Sequence, residues 1–204
     1  MRNIILLICA ALCLQPGLFG AETKMTSEER EKMIQLLHDS QKEFTALVEG
    51  LSDEQWKWKP TPERWSVGEV AEHILLAEGS LFAKIKEALD SPLNPEWEAK
   101  TAGKTEMLLK IMAPRLGKAV APEPIQPNGK LSRGEIMSRF AEARAGTVKF
   151  TEETQLALKE HTSEHPFKFF GTLNAYQWLI YIPLHNMRHD KQIQEVMATA
   201  GFPK

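Results

Sequence analysis

The sequence predicts an all-α protein, a four-helix bundle with a long crossover between helices two and three. Four segments carry apolar residues at a period close to 3.6, which places those residues on one face of a helix. A proline-rich stretch, residues 91–130, separates the first two segments from the last two. No segment shows sustained alternation of apolar and polar residues, so no strand is predicted. An irregular helical array is the alternative architecture.

Helix one is predicted over residues 26–50 and helix two over residues 66–91. Each begins at a capping box, in which a serine or threonine precedes a glutamate by three residues and the two satisfy each other's backbone. A proline-bearing connector lies between them and forbids one continuous helix. The two boxes are Thr26–Glu29 and Ser66–Glu69. The apolar stripes are Met33, Leu36, Leu37, Phe44, Leu47, Val48 and Leu51, then Val70, Ile74, Leu81, Phe82, Ile85 and Leu89.

Six prolines interrupt residues 91–130 everywhere except a short helical piece at 105–112. We interpret this stretch as the crossover of one bundle, because the chain on either side of it holds only two helices. Helix four is predicted from about Asn174 to Ala200, where a glycine and a proline follow. Helix three has the box Ser132–Glu135 and the stripe Ile136, Phe140, Ala143, Thr147, Phe150, Thr154 and Leu158.

Residues 1–20 have the layout of a secretory signal peptide: a short positive start, an apolar run, and a helix break followed by small residues. The apolar run IILLICAALCL is shorter than the ~20 residues that span a bilayer. We therefore expect cleavage after Gly20 or Ala21, leaving one domain over residues 21–204 that is periplasmic or secreted. A retained N-terminal anchor is the alternative.

The composition of the predicted mature chain argues against several kinds of partner. Both cysteines, Cys9 and Cys13, lie in the leader, so the mature protein is expected to fold without disulfides. The formal net charge of the full chain is −2, and the leader contributes only Arg2 to it, so this charge and the lack of a basic cluster argue against nucleic acid. No later apolar stretch is long and uncharged enough to predict stable membrane insertion after cleavage. A homodimer is left open.

Three histidines form a candidate metal site. His185 and His189 are four residues apart in PLHNMRHDKQI, so both imidazoles point the same way from helix four and can bind one divalent cation. His73 lies within the apolar helical pattern VGEVAEHILLAE of helix two. Three imidazoles from two helices would leave coordination positions open for water or substrate. The structural alternative is that each histidine is a hydrogen-bonded core residue.

The histidine-bearing face of helix four continues through Trp178, Tyr181 and Gln192, at spacings of three or four residues. Trp178 and Tyr181 are expected to line the site, with plain core packing as the alternative. Gln192 and, on helix two, Glu69 are the candidates for proton handling or water positioning. For Glu69, a structural role as the glutamate of the capping box Ser66–Glu69 is favoured over a role in the site.

The other three histidines are weaker candidates for the metal site. His38 follows the stripe of helix one and is expected near the edge of the buried face. His161 and His165 lie in the turn before helix four, where a solvated or capping role is favoured for each. The alternative for His165 is that it overhangs the mouth of the bundle together with Pro166.

Three stretches resemble sequences of one known family: LSDEQWKWKPTPERW (51–65), RWSVGEVAEHILLAE (64–78) and FGTLNAYQWLIYIPLHNMRHDKQIQEV (170–196). The family is the DinB superfamily, and the resemblance covers nearly all of the predicted mature chain. The resemblance implies a four-helix bundle with a long crossover between helices two and three. It also implies that His73, His185 and His189 bind a divalent metal, namely zinc, nickel or iron.

The resemblance leaves two classes of function open. Some relatives use the metal to activate a small thiol for transfer or isomerisation, and others are described as hydrolases. Export argues against a thiol transferase, since low-molecular-weight thiols are cytosolic, and HNMRH lacks the glutamate of an HExxH protease helix. We expect a metal-dependent hydrolase or transferase acting on a small molecule, since such ions lower the pKa of bound water to about 7. The alternative is a non-catalytic extracytoplasmic binding or sequestering module whose metal site is structural or vestigial.

Overall fold

The computed structural model describes residues 22–116 and 119–204, and the predicted signal peptide, residues 1–20, lies outside them. No helix within the described chain is long and apolar enough to cross a membrane. The helices are α1 (Ser27–Val48), α2 (Asp53–Lys57), α3 (Val67–Asp90), α4 (Trp97–Thr101), α5 (Lys104–Ile111), α6 (Arg133–Glu153) and α7 (Ala175–Met197). A 3₁₀ turn covers Glu123–Ile125, and an antiparallel pair is formed by β1 (Thr162–Glu164) and β2 (Thr172–Asn174).

The four long helices α1, α3, α6 and α7 are the predicted helices one to four, and they form the predicted bundle. Close backbone contacts join α3 to α7, α1 to α7, α3 to α6 and α1 to α6. Consequently α1 lies diagonally opposite α3, and α6 lies diagonally opposite α7. Only the long crossover between α3 and α6 joins two neighbouring helices of the bundle, which confirms the predicted connection.

Each of the four long helices begins with a capping box. The side chains of the box accept hydrogen bonds from backbone N–H groups that the first turn of a helix leaves unpaired. The three predicted boxes, before α1, α3 and α6, all form. At the start of α7, Asn174 and Gln177 make a fourth box that the sequence reading did not identify. The box was missed because only serine and threonine were considered as capping residues. Asparagine also has a short side chain with an acceptor oxygen and caps helices in the same way.

The interior of the bundle contains two apolar clusters with a polar layer between them. On each long helix, the buried polar side chains of this layer lie between the residues of one apolar cluster and the residues of the other. The polar layer consists of Ser40 on α1, Glu78 on α3, Arg144 and Thr147 on α6, and Asn186 on α7. The first cluster includes Met33, Leu37, Ile85, Val148, Trp178 and Ile182, and the second includes Phe44, Val48, Val70, Ile74, Phe140 and Ile193.

Arg144 holds the polar layer together and is 0% exposed. Its Nε and Nη2 donate to the two carboxylate oxygens of Glu78 at 2.9 and 2.8 Å. Its Nη1 donates to the Leu37 carbonyl and to Ser40 Oγ at 2.6 and 2.7 Å, and Nη2 donates to Asn186 Oδ1 at 3.0 Å. All five N–H groups of the guanidinium therefore have acceptors, which is what allows a charge to be buried.

The structure corrects the sequence reading in three places. β1 and β2 form a hairpin in the turn before α7, where no strand was predicted, because three-residue strands are too short to show alternation. The predicted stripe of helix three runs on to Leu158, but α6 ends at Glu153 and Leu158 is buried from the following loop. The five-residue helices α2 and α4 were missed because they span barely more than one helical turn.

Candidate metal centre

The packing of α3 against α7 brings the three predicted histidines together. The side chains of His73, His185 and His189 each offer a ring nitrogen, and these nitrogens all lie within 4.8 Å of one another. His73 and His189 are buried, and His185 is half-buried. The shortest separation joins Nε2 of His73 to Nε2 of His189 at 3.2 Å. The site is therefore built from one residue of α3 and two consecutive turns of α7.

The crossover fixes the protonation of the His73 ring. Nδ1 of His73 lies 2.6 Å from the backbone carbonyl oxygen of Ile125, in the 3₁₀ turn. A carbonyl oxygen only accepts hydrogen bonds, so Nδ1 carries the proton and donates it. Nε2 is then left with a lone pair that points towards the other histidines.

A side-chain pair does the same for His189. Nδ1 of His189 lies 2.9 Å from Gln192 Oε1, and Arg115 Nη1 donates to that oxygen at 3.1 Å. The Arg115 contact identifies this atom of the amide as the oxygen, so Nδ1 of His189 is the donor and Nε2 keeps its lone pair. Arg115 has a φ of 57°, a left-handed conformation that is uncommon outside glycine. Such conformations persist where surrounding contacts enforce them, and here the guanidinium also pairs with Glu195 at 3.2 Å.

Two facing lone pairs 3.2 Å apart repel each other unless a cation or a proton lies between them. A proton is disfavoured, because burial lowers the pKa of all three imidazoles and the neighbouring rings lower it further for His185 and His189. Neutral imidazole nitrogens are the donors that zinc, nickel and iron accept, whereas calcium and magnesium prefer oxygen. The donor set therefore fits a divalent transition metal.

The histidines open onto a pocket of about 1030 Å³. The ring of Trp65 lies 4.9 Å from that of His73, and the ring of Tyr181 lies 6.1 Å from that of His185. Tyr181 is buried, and burial raises the pKa of its phenol. Its hydroxyl is therefore neutral at ordinary pH and can donate a hydrogen bond to a bound molecule.

The other predicted site residues have different positions. Trp178 and Gln192 line the pocket together with Tyr181, and the Trp178 indole donates to Ser163 Oγ at 2.9 Å. Glu69 is engaged elsewhere: its carboxylate accepts from the Ser66 backbone at 2.7 Å and from Lys59 Nζ at 2.9 Å. The structure thus gives Glu69 its favoured capping role, and Glu69 is not among the described residues that line the pocket.

The three weaker histidines also differ from one another. His38 is exposed on α1. His161 lies with Nδ1 3.1 Å from the carbonyl of Ser91, the residue that caps the end of α3, so its capping role is confirmed. A solvated role is wrong for His165, because its ring is buried in the pocket wall and stacks on Trp178 at 5.0 Å. His165 directly follows β1, and both His165 and Pro166 line the pocket.

Three contributors to the site were not identified from the sequence. Trp65 lies in the connector before α3, outside any periodic pattern. Ile125 acts through its backbone carbonyl, so its side-chain type carries no signal. Arg115 lies in the crossover, where its contact with Gln192 depends on the tertiary fold. Only the match between the Gln192 spacing and the histidine face pointed towards this part of the site.

The chain is similar to known proteins. The family model of the DinB superfamily matches residues 36–193. YuaE of Bacillus subtilis (strain 168), an uncharacterized protein, is 30% identical over 153 residues, which cover 73% of this chain and 87% of YuaE.

A solved structure shares the fold. YfiT from Bacillus subtilis, described as a probable metal-dependent hydrolase with an unusual four-helix bundle topology, matches with a TM-score of 0.59 and 15% identity. The match covers 88% of this chain and 91% of that one. At this identity the likeness supports the fold, while the family model and YuaE identify the family. The chain belongs to the DinB superfamily.

Proposed function

We propose that the protein is a metal-dependent hydrolase or transferase that acts on a small molecule at the three-histidine site. One observation carries the proposal. His73 and His189 have their Nδ1 atoms committed as donors, and their Nε2 lone pairs converge at 3.2 Å in the wall of a pocket. His73, His185 and His189 would hold zinc, nickel or iron.

The bound ion would supply Lewis-acid chemistry and would lower the pKa of water, as in other histidine-ligated sites. The residues of the chain position and enclose this chemistry. Ile125 and Gln192 hold two of the imidazole rings in one tautomer. Trp65 and Tyr181 form walls that exclude water from one side, and the neutral Tyr181 phenol can donate to an oxygen of the substrate. Because a glutamine amide does not titrate at ordinary pH, Gln192 is a positioning residue.

Hydrolysis is supported by the description of YfiT, whose fold this chain shares. The alternative is a non-catalytic extracytoplasmic binding or sequestering module. It is favoured by one observation: among the described residues that line the pocket, Glu63 is the only carboxylate, and α3 and α7, which carry the histidines, contribute no carboxylate to this lining. We also propose export, because residues 1–20 have the layout of a signal peptide.

The test of the enzyme combines metal analysis with turnover. Purified protein should contain one transition-metal ion per chain, and it should turn over ester, amide or thiol-transfer substrates in a chelator-sensitive manner. His73→Ala, His185→Ala and His189→Ala should each lose metal and activity, while His38→Ala and His161→Ala serve as controls that keep both. Metal-loaded protein without chelator-sensitive turnover would favour the binding module.

Export is tested separately by the intact mass of protein from the exported fraction. The mass should correspond to a chain that begins near Ala21 and contains no disulfide. A mass that matches residues 1–204 would contradict cleavage.

A further inference from the structure

His165 carries its proton on the opposite ring nitrogen from two of the metal-site histidines. Its Nδ1 accepts a hydrogen bond from the Phe167 backbone N–H at 2.9 Å, so Nδ1 has a lone pair and the proton is on Nε2. In His73 and His189 the Nδ1 atoms donate, and the Nε2 atoms keep lone pairs. All three rings line the same pocket. His165 therefore offers a donor to a bound molecule where the other two offer acceptors.

Two donor groups in the pocket wall have no hydrogen-bond partner among the described residues, namely Nε2–H of His165 and the hydroxyl of Tyr181. Both side chains are buried, with 7% and 6% of their surfaces exposed. No polar side-chain atom in the described part of the chain is sealed from solvent without a partner. Since both residues line the pocket, the two groups reach solvent through it. Both donors are therefore available to a ligand in the pocket.

The two donors are neighbours in an aromatic wall. The His165 ring stacks on Trp178, with ring centres 5.0 Å apart and planes 8° apart, and it lies 4.3 Å from the Phe170 ring. The Tyr181 ring lies 5.6 Å from the His165 ring and 6.1 Å from the His185 ring. In such apolar surroundings, a donor left without an acceptor is costly, so a ligand that supplies an acceptor is favoured.

We propose that His165 and Tyr181 bind the carbonyl oxygen of the substrate, whose flat apolar group packs against Phe167 and Phe170 of the hairpin loop. An uncharged acceptor fits this wall better than a carboxylate, which would lose more hydration among aromatic rings. The inference rests on the proposed function, since it names the substrate class of that site: an apolar ester, amide or ketone. It concerns binding, so it is tested without turnover.

The test uses two uncharged probes of the same shape. Acetophenone has a ring and a carbonyl oxygen, and ethylbenzene has the ring without an acceptor. Full-length mature protein is treated with chelator, so that no metal ion binds the carbonyl, and circular dichroism checks its helix content. NMR titration measures both affinities. The infrared stretching frequency of ¹³C-labelled acetophenone reports the hydrogen bonds to its carbonyl oxygen.

Tyr181→Phe removes a hydroxyl and keeps the ring. It should weaken acetophenone about three- to tenfold, the effect of one neutral hydrogen bond, and should leave ethylbenzene within about twofold. The carbonyl stretching frequency of bound acetophenone should rise, because the bond to its oxygen is lost. Tyr176→Phe is the matched control: it lies on the same helix, it is not among the described residues that line the pocket, and it should change neither affinity.

His165→Asn keeps an acceptor near the Nδ1 position for the Phe167 N–H but has no donor at the Nε2 position. Because the ring is lost as well, both probes should weaken, and acetophenone should lose at least about threefold more than ethylbenzene. His165→Gln places an amide N–H near the Nε2 position and should recover part of that difference.

Wild-type protein labelled with ¹⁵N-histidine keeps the test open if His165→Asn fails to fold. Long-range ¹H–¹⁵N spectra should show the proton of His165 on Nε2, and that nitrogen should shift more with acetophenone than with ethylbenzene. A proton on Nδ1 would overturn the inference.

Three binding results would also overturn it. Equal losses of the two probes in both variants would show that His165 and Tyr181 act only by packing. Unchanged acetophenone affinity and stretching frequency in both variants would leave water as the partner of the two donors. Benzoate that binds tighter than acetophenone and depends on the same two side chains would make the ligand a carboxylate.

Failure of the proposed function looks different. If the variants affect acetophenone as expected in chelator-treated protein but metal-loaded protein shows no turnover, the carbonyl site stands and the enzyme does not. If metal-loaded protein turns over substrate while neither variant changes acetophenone binding, the enzyme stands and the carbonyl site does not.

Discussion

Two clusters of buried polar side chains lie within one bundle, and α3 and α7 contribute to both. In the polar layer around Arg144, every guanidinium N–H has an acceptor, and the charge is paired with Glu78. In the histidine cluster, the lone pairs of His73 and His189 face each other and open onto a pocket. Burial of polar groups therefore does not by itself identify a functional site. The distinguishing feature is a set of donor atoms that converge without satisfying one another.

The two clusters are adjacent on α7. Asn186 follows His185, and Asp190 follows His189. Asn186 accepts from Arg144 and donates to both carboxylate oxygens of Asp190 at 3.0 and 3.1 Å. Burial and the nearby Glu43 raise the pKa of the Asp190 carboxyl to about 8. Asn186 and Asp190 thus connect α7 to the polar layer at the positions that directly follow the two histidines.

The first prediction concerns the charge pair in the polar layer around Arg144, and it has the largest expected effect. Arg144→Met leaves the Glu78 carboxylate buried without its partner, which should lower the free energy of unfolding by about 3–5 kcal/mol. Urea denaturation of the chelator-treated protein measures this change. Arg139→Met, at an exposed position on the same helix, should stay within about 0.5 kcal/mol of the wild type.

A double variant checks the cause. Arg144→Met combined with Glu78→Leu removes both charges, so it should recover much of the loss. If the double variant is as unstable as the sum of the two single variants, the charge pair is not what holds the layer together.

The second prediction concerns the histidine cluster. His185→Ala with His189→Ala should weaken transition-metal binding more than about a hundredfold, beyond the 10–100-fold cost of losing an outer partner of a ligand. In the presence of chelator, the same variant should lose less stability than Arg144→Met, because it removes converging lone pairs and no paired charge. Competition titration with a chromophoric chelator measures the affinity. One-to-one binding with unchanged affinity would place the metal elsewhere.

The third prediction concerns His165, which packs beside the site without belonging to the metal cluster. Burial lowers the pKa of its imidazole to about 4 in the folded protein, and its Nδ1 accepts from the Phe167 backbone at 2.9 Å. Because the folded pKa is depressed, this histidine contributes stability that is present above its unfolded pKa of about 6.5 and is lost as pH falls towards 4.

His165→Asn tests this, since asparagine keeps an acceptor for the Phe167 N–H but does not titrate. Between pH 6.5 and 4, the unfolding free energy of the variant should fall less steeply than that of the wild type, by about 1 kcal/mol over the range. Urea denaturation at several pH values measures both slopes. Parallel curves would show that His165 does not titrate with folding, and His38→Ala provides the exposed-histidine control.

The sequence was most informative where the signal is local. Capping boxes and a period of 3.6 predicted the long helices within a few residues of their ends, and the i, i+4 spacing of His185 and His189 predicted that they share a face. Arg144 shows where such reasoning fails. The predicted stripe of helix three included its neighbour Ala143, because a charged residue is not expected to be fully buried unless its partners are known.

Those partners come from three other helices, so no local pattern reveals them. The same limitation applies to the histidine cluster. The Ile125 carbonyl and the Arg115 guanidinium reach the histidines from the crossover, and their roles depend on the path that the crossover takes over the bundle. Short strands and single turns, such as β1 and α2, leave too few residues for periodicity to be read.

The last prediction concerns Gln192, which hydrogen-bonds to His189 at the edge of the histidine cluster. Gln192 Oε1 accepts from His189 Nδ1 and from Arg115 Nη1, so it holds the ring in the tautomer that exposes Nε2. Gln192→Leu removes that acceptor at similar size and should weaken metal binding about tenfold, the lower end of the cost of losing an outer partner. Gln192→Glu keeps an acceptor and should retain affinity. Gln194→Leu, two residues further along α7, is the matched control, because the Gln194 Oε1 atom accepts a hydrogen bond from Lys191 Nζ at 3.3 Å. A general packing defect would lower the unfolding free energy of chelator-treated Gln192→Leu as well, whereas a positioning role changes metal affinity alone. Equal affinities for the Gln192→Leu and Gln194→Leu variants would show that the His189 ring is oriented without this hydrogen bond.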